Sequence, residues 1–355
     1  MKKTSTNKPY RPKTSFFTKK IPITWFITTA LVAVISLSME IGSAFSHSNN
    51  AGAKPSIIPN ASPLNNSTAE NPQNTASPDF TNPIIACRGP ILEIRPFKNQ
   101  IKEIVDEIIG RGEANNISIA FRSLNNGYAF GINSEQKFRP ASLLKVPTMI
   151  AYLKLAEDSP AILDRKILFA KSQQIGIPNN IPNPMIVGQS YTIRELIERM
   201  IENSDNDAAM LLLKGIDDKE VEKTYAVFDL NVPKMLRPDQ DFSSVSDFVR
   251  IFRILYNASY LNKEMSDYAL NMLSKVYFAD GIVGGVGNGT PVAHKYGEWY
   301  FNGVYQLHDC GIVYVQGNPY IVAIMTKGIE LKKLSGVIRR ISNVIYSHVQ
   351  VDLQS

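Results

Sequence analysis

The sequence predicts a mixed α/β (α+β) domain: a five-stranded antiparallel sheet flanked by helices, with an all-helical subdomain between its strands. Three observations predict it. Strand-like apolar runs occur early, at residues 117–123 and 128–132, and again late, at 291–296, 311–315 and 320–326. Between the two groups the apolar spacing is helical. The early pair is joined by Asn126-Gly127, a dipeptide suited to a hairpin turn. Strands at both ends of one domain then require a sheet closed by segments distant in sequence.

The chain begins with a basic tail. Residues 1–20 hold seven Lys or Arg and no acid, while the formal net charge of all 355 residues is +6, so the rest of the chain sums to −1. The basicity is a tail and not a face, which removes the main support for nucleic-acid binding. Residues 21–39 follow without a single charge. A spanning helix needs about 20 apolar residues and a signal-peptide core only about 7–15, so the run reads as a membrane anchor. Cleavage near Gly42-Ser43-Ala44 is the alternative. Basic flanks stay cytoplasmic, so the remainder is expected at the outer face of the cytoplasmic membrane, or secreted if the segment is cleaved. Residues 40–95 form the expected linker. Its stretch from 47 to 83 has six Pro, eight Asn and three charged residues, too little apolar surface to offset ordering entropy.

The folded domain is expected over residues 96–355. Thr192 and Glu195 make a capping box ahead of Ile193, Leu196, Ile197, Met200 and Ile201, which share one helical face. Leu334, Val337, Ile338, Ile341, Val344 and Ile345 repeat that spacing near the C-terminus. Four histidines and two cysteines, Cys87 and Cys310, show no metal-ligand spacing, so neither a metal site nor a cofactor is expected. Whether the two cysteines pair is left open by the sequence. His308-Asp309-Cys310 lies in a strand, where consecutive side chains face opposite ways, which argues against cysteine chemistry.

Three short motifs carry the candidate chemistry. Ser142-Leu143-Leu144-Lys145 puts a hydroxyl and an amine three residues apart, on one face of a helix. From Leu144 to Leu155 the only charges are Lys145 and Lys154, so the helix should be buried, and burial is what lowers a lysine pKa enough to make it a base. Ser-x-x-Lys alone is weak, since it also occurs at Ser5 and Ser134. Ser204-Asp205-Asn206 precedes an apolar helix; it reads either as a helix cap or as a second hydroxyl and a substrate-holding amide. Lys295-Tyr296-Gly297 ends a strand, where the lysine is either solvated or a fixed positive charge for substrate, and the glycine permits close backbone approach.

Taken in order, with Ser204 62 residues after Ser142 and Lys295 91 after Ser204, these motifs resemble those of class A β-lactamases and their penicillin-recognising serine-hydrolase relatives. The likeness runs from about Pro96 to the C-terminus and implies the β-lactamase/transpeptidase-like fold. It further implies Ser142 as the acylated nucleophile, Lys145 as its activator and Ser204 as the proton relay. Asn206, Lys295, Gly297 and Glu298 would hold substrate, with the backbone N–H groups of Ser142 and Glu298 as the oxyanion hole. The implied substrate is a β-lactam or a cell-wall peptide. The alternatives are a D-alanyl-D-alanine peptidase using the same chemistry, or a non-catalytic envelope-binding module. Two departures stand out. Tyr296 occupies a position where the family carries Thr or Ser. And between Glu222 and Phe252 there is no Glu to activate the deacylating water; only Asp239 and Asp241 are at hand in the expected loop, and slow deacylation follows.

Overall fold

The computed structural model describes residues 80–82, 95–175, 181, 183–230 and 239–351. The basic tail, the apolar run 21–39 and Cys87 lie outside the described residues, as do most of the linker and residues 231–238, just ahead of Asp239 and Asp241. Among the described residues no helix is long and apolar enough to cross a membrane.

A five-stranded antiparallel sheet forms the centre, and distant segments do close it. Strand β1 (Asn116–Ser123) pairs with β2 (Ala129–Ile132) on one side and with β7 (Tyr320–Gly328) on the other, Ile119 lying opposite Ile324. Beyond β7 come β6 (Val304–Val313) and β5 (Val292–Phe301), giving the order β2-β1-β7-β6-β5 with β5 at the edge. The last two strands run longer than their apolar patterning suggests. Asn302 and Gly303, at φ 48° and 81°, join them in a two-residue turn whose Asn-Gly sequence suits that geometry. The early loop closes through Ser123 N–H to Tyr128 O, 2.8 Å, with Gly127 at φ 74°.

Helices α1 (Arg95–Gly110) and α9 (Leu331–Val351) pack together, and Phe97 stacks on His348 at 3.8 Å. The residues expected on the buried face of α9 are buried, apart from the partly covered Val344. Between β2 and β5 lie α2 (Lys145–Asp158), α3 (Ile193–Glu202), α4 (Asn206–Gly215), α5 (Asp218–Val227), α6 (Val245–Tyr256), α7 (Lys263–Leu273) and the single turn α8 (Ile282–Gly285). Helix α2 is enclosed as expected, with every residue from Lys145 to Leu153 buried. The Thr192–Glu195 capping box forms reciprocally, at 3.1 and 2.6 Å. The insert is not all-helical: β3 (Lys166–Leu168) and β4 (Ser190–Thr192) pair in a two-stranded ribbon, too short to leave an alternating pattern.

A short piece of the expected linker, residues 80–82, is also part of the fold. Phe80 is buried and meets the Tyr314 ring edge-on at 5.2 Å; Tyr314 Oη donates to Phe80 O at 3.0 Å, and Asn82 N–H donates to Tyr256 O at 2.8 Å. One aromatic side chain suffices to fix a stretch whose mean composition is that of a tether. Phe80→Ala is expected to lower unfolding stability by about 1–3 kcal/mol, the value of burying such a side chain. Chemical denaturation of the full chain checks this, and an unchanged midpoint would show that the segment does not dock.

Candidate active site

Ser142 lies in a single 3-10 turn, Ala141–Leu144, which runs directly into α2. The chain enters the turn through Ala141 at φ 49°. A residue with a Cβ pays about 1–3 kcal/mol for that left-handed conformation unless its surroundings impose it. They do. Phe138 N–H donates to Ser243 O at 2.7 Å, and Arg139 N–H donates to Gln306 Oε1 at 2.9 Å. His308 Nδ1 accepts from Thr326 N–H at 3.3 Å, so Nε2 carries the proton and donates to Arg139 O at 2.9 Å. Burial lowers the His308 pKa to about 4, which keeps the ring neutral in this role. Gln306 and His308, two apart on β6, thus hold both backbone groups of Arg139, three residues before Ser142. Gly297 on β5 completes the seat: a Cβ there would stand 2.5 Å from Pro140 O. The absence of a side chain at Gly297 thus lets the Ser142 turn pack directly against β5.

Lys145 opens α2 and is fully enclosed. Its Nζ donates to Ser204 O at 2.6 Å and to Asn206 Oδ1 at 2.7 Å, and lies 3.2 Å from Ser204 Oγ. Burial lowers its pKa to about 7, with buried Asp205 pulling it partly back up. From the opposite side Lys295 Nζ reaches Ser204 Oγ at 3.1 Å. Its pKa falls well below the ordinary lysine value through burial and the Lys145 charge, opposed by Asp309. A hydroxyl has two lone pairs and one proton. While both amines are protonated, each can give one N–H to Ser204 Oγ, which leaves the hydroxyl proton to point elsewhere. Ser204 itself sits at φ 55°, a second left-handed residue in the same site.

The structure therefore gathers Ser142, Lys145, Ser204, Asn206, Lys295 and Gly297 from the 3-10 turn, α2, the α3–α4 junction and β5. The Lys145 hydrogen bonds go to Ser204 and Asn206 and not to Ser142. Glu298 follows Gly297 on the edge strand β5. The cap of α4 is Asp205 and not Ser204: its carboxylate accepts from Ala208 N–H at 3.1 Å. Asp207 instead receives Ile175 N–H at 2.8 Å. Asp241 accepts from Gln306 Nε2 at 2.9 Å and is paired with Lys327, so it fastens the Arg139 clamp; Asp239 acts on the buried Arg139 guanidinium. Among the described residues no carboxylate hydrogen-bonds to Ser142, Lys145 or Ser204. Cys310 is a buried free thiol whose pKa burial raises well above normal, in keeping with an inert strand residue.

Residues outside the three motifs also shape the site. Asp309 accepts His294 Nδ1 and Ile282 N–H, each at 2.8 Å, and sets a buried negative charge near Lys295. Gln306 and His308 form the clamp already described. Tyr277 and Phe278 pack on Tyr296. The Asn302-Gly303 pair is the signal that would have placed Gln306 and His308 opposite the nucleophile turn.

A model of the Beta-lactamase enzyme family matches residues 96–349. The chain belongs to this family. Solved structures share its fold. A point mutant of PBP-A, in an acyl-enzyme complex with penicillin G, is similar at a TM-score of 0.63 and 21% identity, over 74% of this chain and 100% of that one. A β-lactamase from Chitinophaga pinensis is similar at 0.60 and 20% identity, over 71% and 99%. The TLA-1 extended-spectrum β-lactamase is similar at 0.60 and 16%, over 71% and 98%. At these identities the likeness is one of fold. No curated protein matches the chain in sequence.

For this family member the clamp on the Ser142 turn gives a direct expectation. Gln306→Leu leaves Arg139 N–H without its acceptor, a loss of about 1–3 kcal/mol of stability. It should also slow covalent labelling of Ser142 about 10- to 100-fold, since small displacements of a reacting group cost on that order. Thermal melting and labelling rate, measured on the same sample, separate the two effects. An unchanged labelling rate in a destabilised variant would make Gln306 a fold residue only.

Proposed function

We propose that the chain is a serine hydrolase acylated on Ser142 by a β-lactam, which it then hydrolyses slowly. The observation that carries this reading is the pair of buried lysines converging on Ser204 Oγ beside the Ser142 turn. Neutral Lys145 takes the Ser142 proton as Oγ attacks the lactam carbonyl. The developing oxyanion is held by the N–H groups of Ser142 and Glu298, where one such donor is worth about 3–4 kcal/mol. When the C–N bond breaks, the proton taken by Lys145 passes through Ser204 to the leaving nitrogen, with Lys295 holding the relay and Asn206 orienting the substrate amide. No cofactor or metal enters the scheme. Export, with the domain held at the outer face of the cytoplasmic membrane through residues 21–39, belongs to the same proposal and rests on the sequence pattern alone.

The acyl-enzyme is the resting point of this cycle. Asp239 and Asp241, the acids at hand for the deacylating water, are engaged with Arg139, Gln306 and Lys327. That engagement also favours a second reading, a D-alanyl-D-alanine peptidase whose acyl-enzyme is long-lived with a β-lactam. A positioned general base supplies about 10²–10⁴-fold, so hydrolysis should be slow by that order.

Two outcomes are expected. With a chromogenic β-lactam, stopped-flow should show a burst of one equivalent and then a slow phase, with an intact-mass adduct lost in Ser142→Ala. Fast linear turnover from the first cycle would contradict slow deacylation, and no adduct at all would favour a non-catalytic binding module. The burst rate should rise as pH passes upward through about 7, because the neutral amine is the base and burial sets its pKa there. A burst rate independent of pH across this range would place the base elsewhere.

A further inference from the structure

The Lys295 amine is roofed over. Lys295 is fully buried, and its Nζ stands 4.2 Å from the centre of the Tyr296 ring. That ring stacks on Phe278 at 4.4 Å and meets Tyr277 edge-on at 5.9 Å, and the hydroxyls of Tyr277 and Tyr296 are hydrogen-bonded at 2.8 Å. Tyr277 is itself fastened, its N–H donating to Glu202 O at 3.0 Å at the end of α3. Exposure grows outward through this stack: 0% for Lys295, 8% for Tyr296 and 47% for Tyr277. Two phenol rings and their hydroxyls thus lie between Lys295 and solvent. The charge beneath them already has Ser204 Oγ at 3.1 Å and the Tyr296 carbonyl at 3.3 Å as partners.

We infer that Tyr296, latched by Tyr277 and backed by Phe278, determines specificity by screening Lys295, so that the site takes uncharged acyl donors about as well as anionic ones. The inference rests on the acylation of Ser142 proposed above. An anionic group gains little from a cation it cannot touch, because removing the ring's cover would cost the stacking, the cation–π contact and the Tyr277 hydrogen bond together. Phenol hydroxyls can hydrogen-bond a carbonyl or ester oxygen as readily as a carboxylate. Substrate choice in this site therefore turns on neutral hydrogen bonding, and Lys295 acts through Ser204 alone.

The test compares a penicillin with its methyl ester on the full chain, following Ser142 adduct formation by intact mass. In the unaltered protein the acid and ester should acylate within about threefold of each other, and the acid rate should barely change between low and high salt. Tyr296→Thr should raise the acid rate more than about tenfold and the ester rate far less, with a new salt dependence as Lys295 becomes reachable. Tyr277→Phe, which removes only the latch on a half-exposed ring, should move the acid-to-ester ratio the same way by a smaller factor. A strong preference for the acid in the unaltered protein would overturn the inference while leaving acylation intact. So would an unchanged ratio in both variants. Absence of any adduct with acid or ester in every protein would instead remove the acylation reading, and this inference with it.

Discussion

Two lysines shut away from water share one serine hydroxyl, and the rest of the domain is arranged around keeping them there. Dehydrating an ammonium group is costly, and placing two together adds repulsion. The fold offsets this with groups that are themselves buried. Asp205 stands near Lys145, Asp309 near Lys295, and Ser204 O, Asn206 Oδ1 and the Tyr296 carbonyl accept N–H groups. The remaining imbalance appears as depressed amine pKa values. That is the useful consequence, since an amine that loses its proton near neutrality can take one from a serine.

Such an arrangement needs a rigid frame, and the sheet topology provides it. Strand β5 is at the edge, so one side of it is free to face the nucleophile turn, while β6 behind it supplies Gln306 and His308 to hold Arg139. Gly297 lets the turn approach to backbone contact. Two left-handed residues, Ala141 and Ser204, sit on opposite sides of the cluster. Each is a local conformational cost imposed by the surrounding packing, which fixes the positions of the two hydroxyls before any substrate arrives.

Much of this was legible in the residues. The three motifs named Ser142, Lys145, Ser204, Asn206 and Lys295, residues that the fold brings together around Ser204 Oγ. The sheet was legible because most of its strands carry a short apolar run. Other parts left little trace. The ribbon of β3 and β4 is three residues long on each side, below any readable period. The first half of β6 carries Gln306, His308 and Asp309, buried polar residues that hydropathy does not mark as a strand; the Asn302-Gly303 turn is the signal that does. The docking of Phe80 depends on one side chain in a polar stretch. Asp241 illustrates the converse limit: its position in the sequence suited a water-activating acid, but Lys327 and Gln306, distant in sequence, claim its carboxylate.

The account stands or falls on Lys145 being an amine of depressed basicity in the folded, unliganded protein. Lysine-selective ¹³Cε labelling, with the resonance assigned by a Lys145→Arg variant, reads that directly as an NMR titration. The account predicts a midpoint near about 7 for Lys145. A midpoint in the ordinary lysine range of about 10 would contradict it, because Lys145 would then be a permanent cation, and Ser142 would need another base.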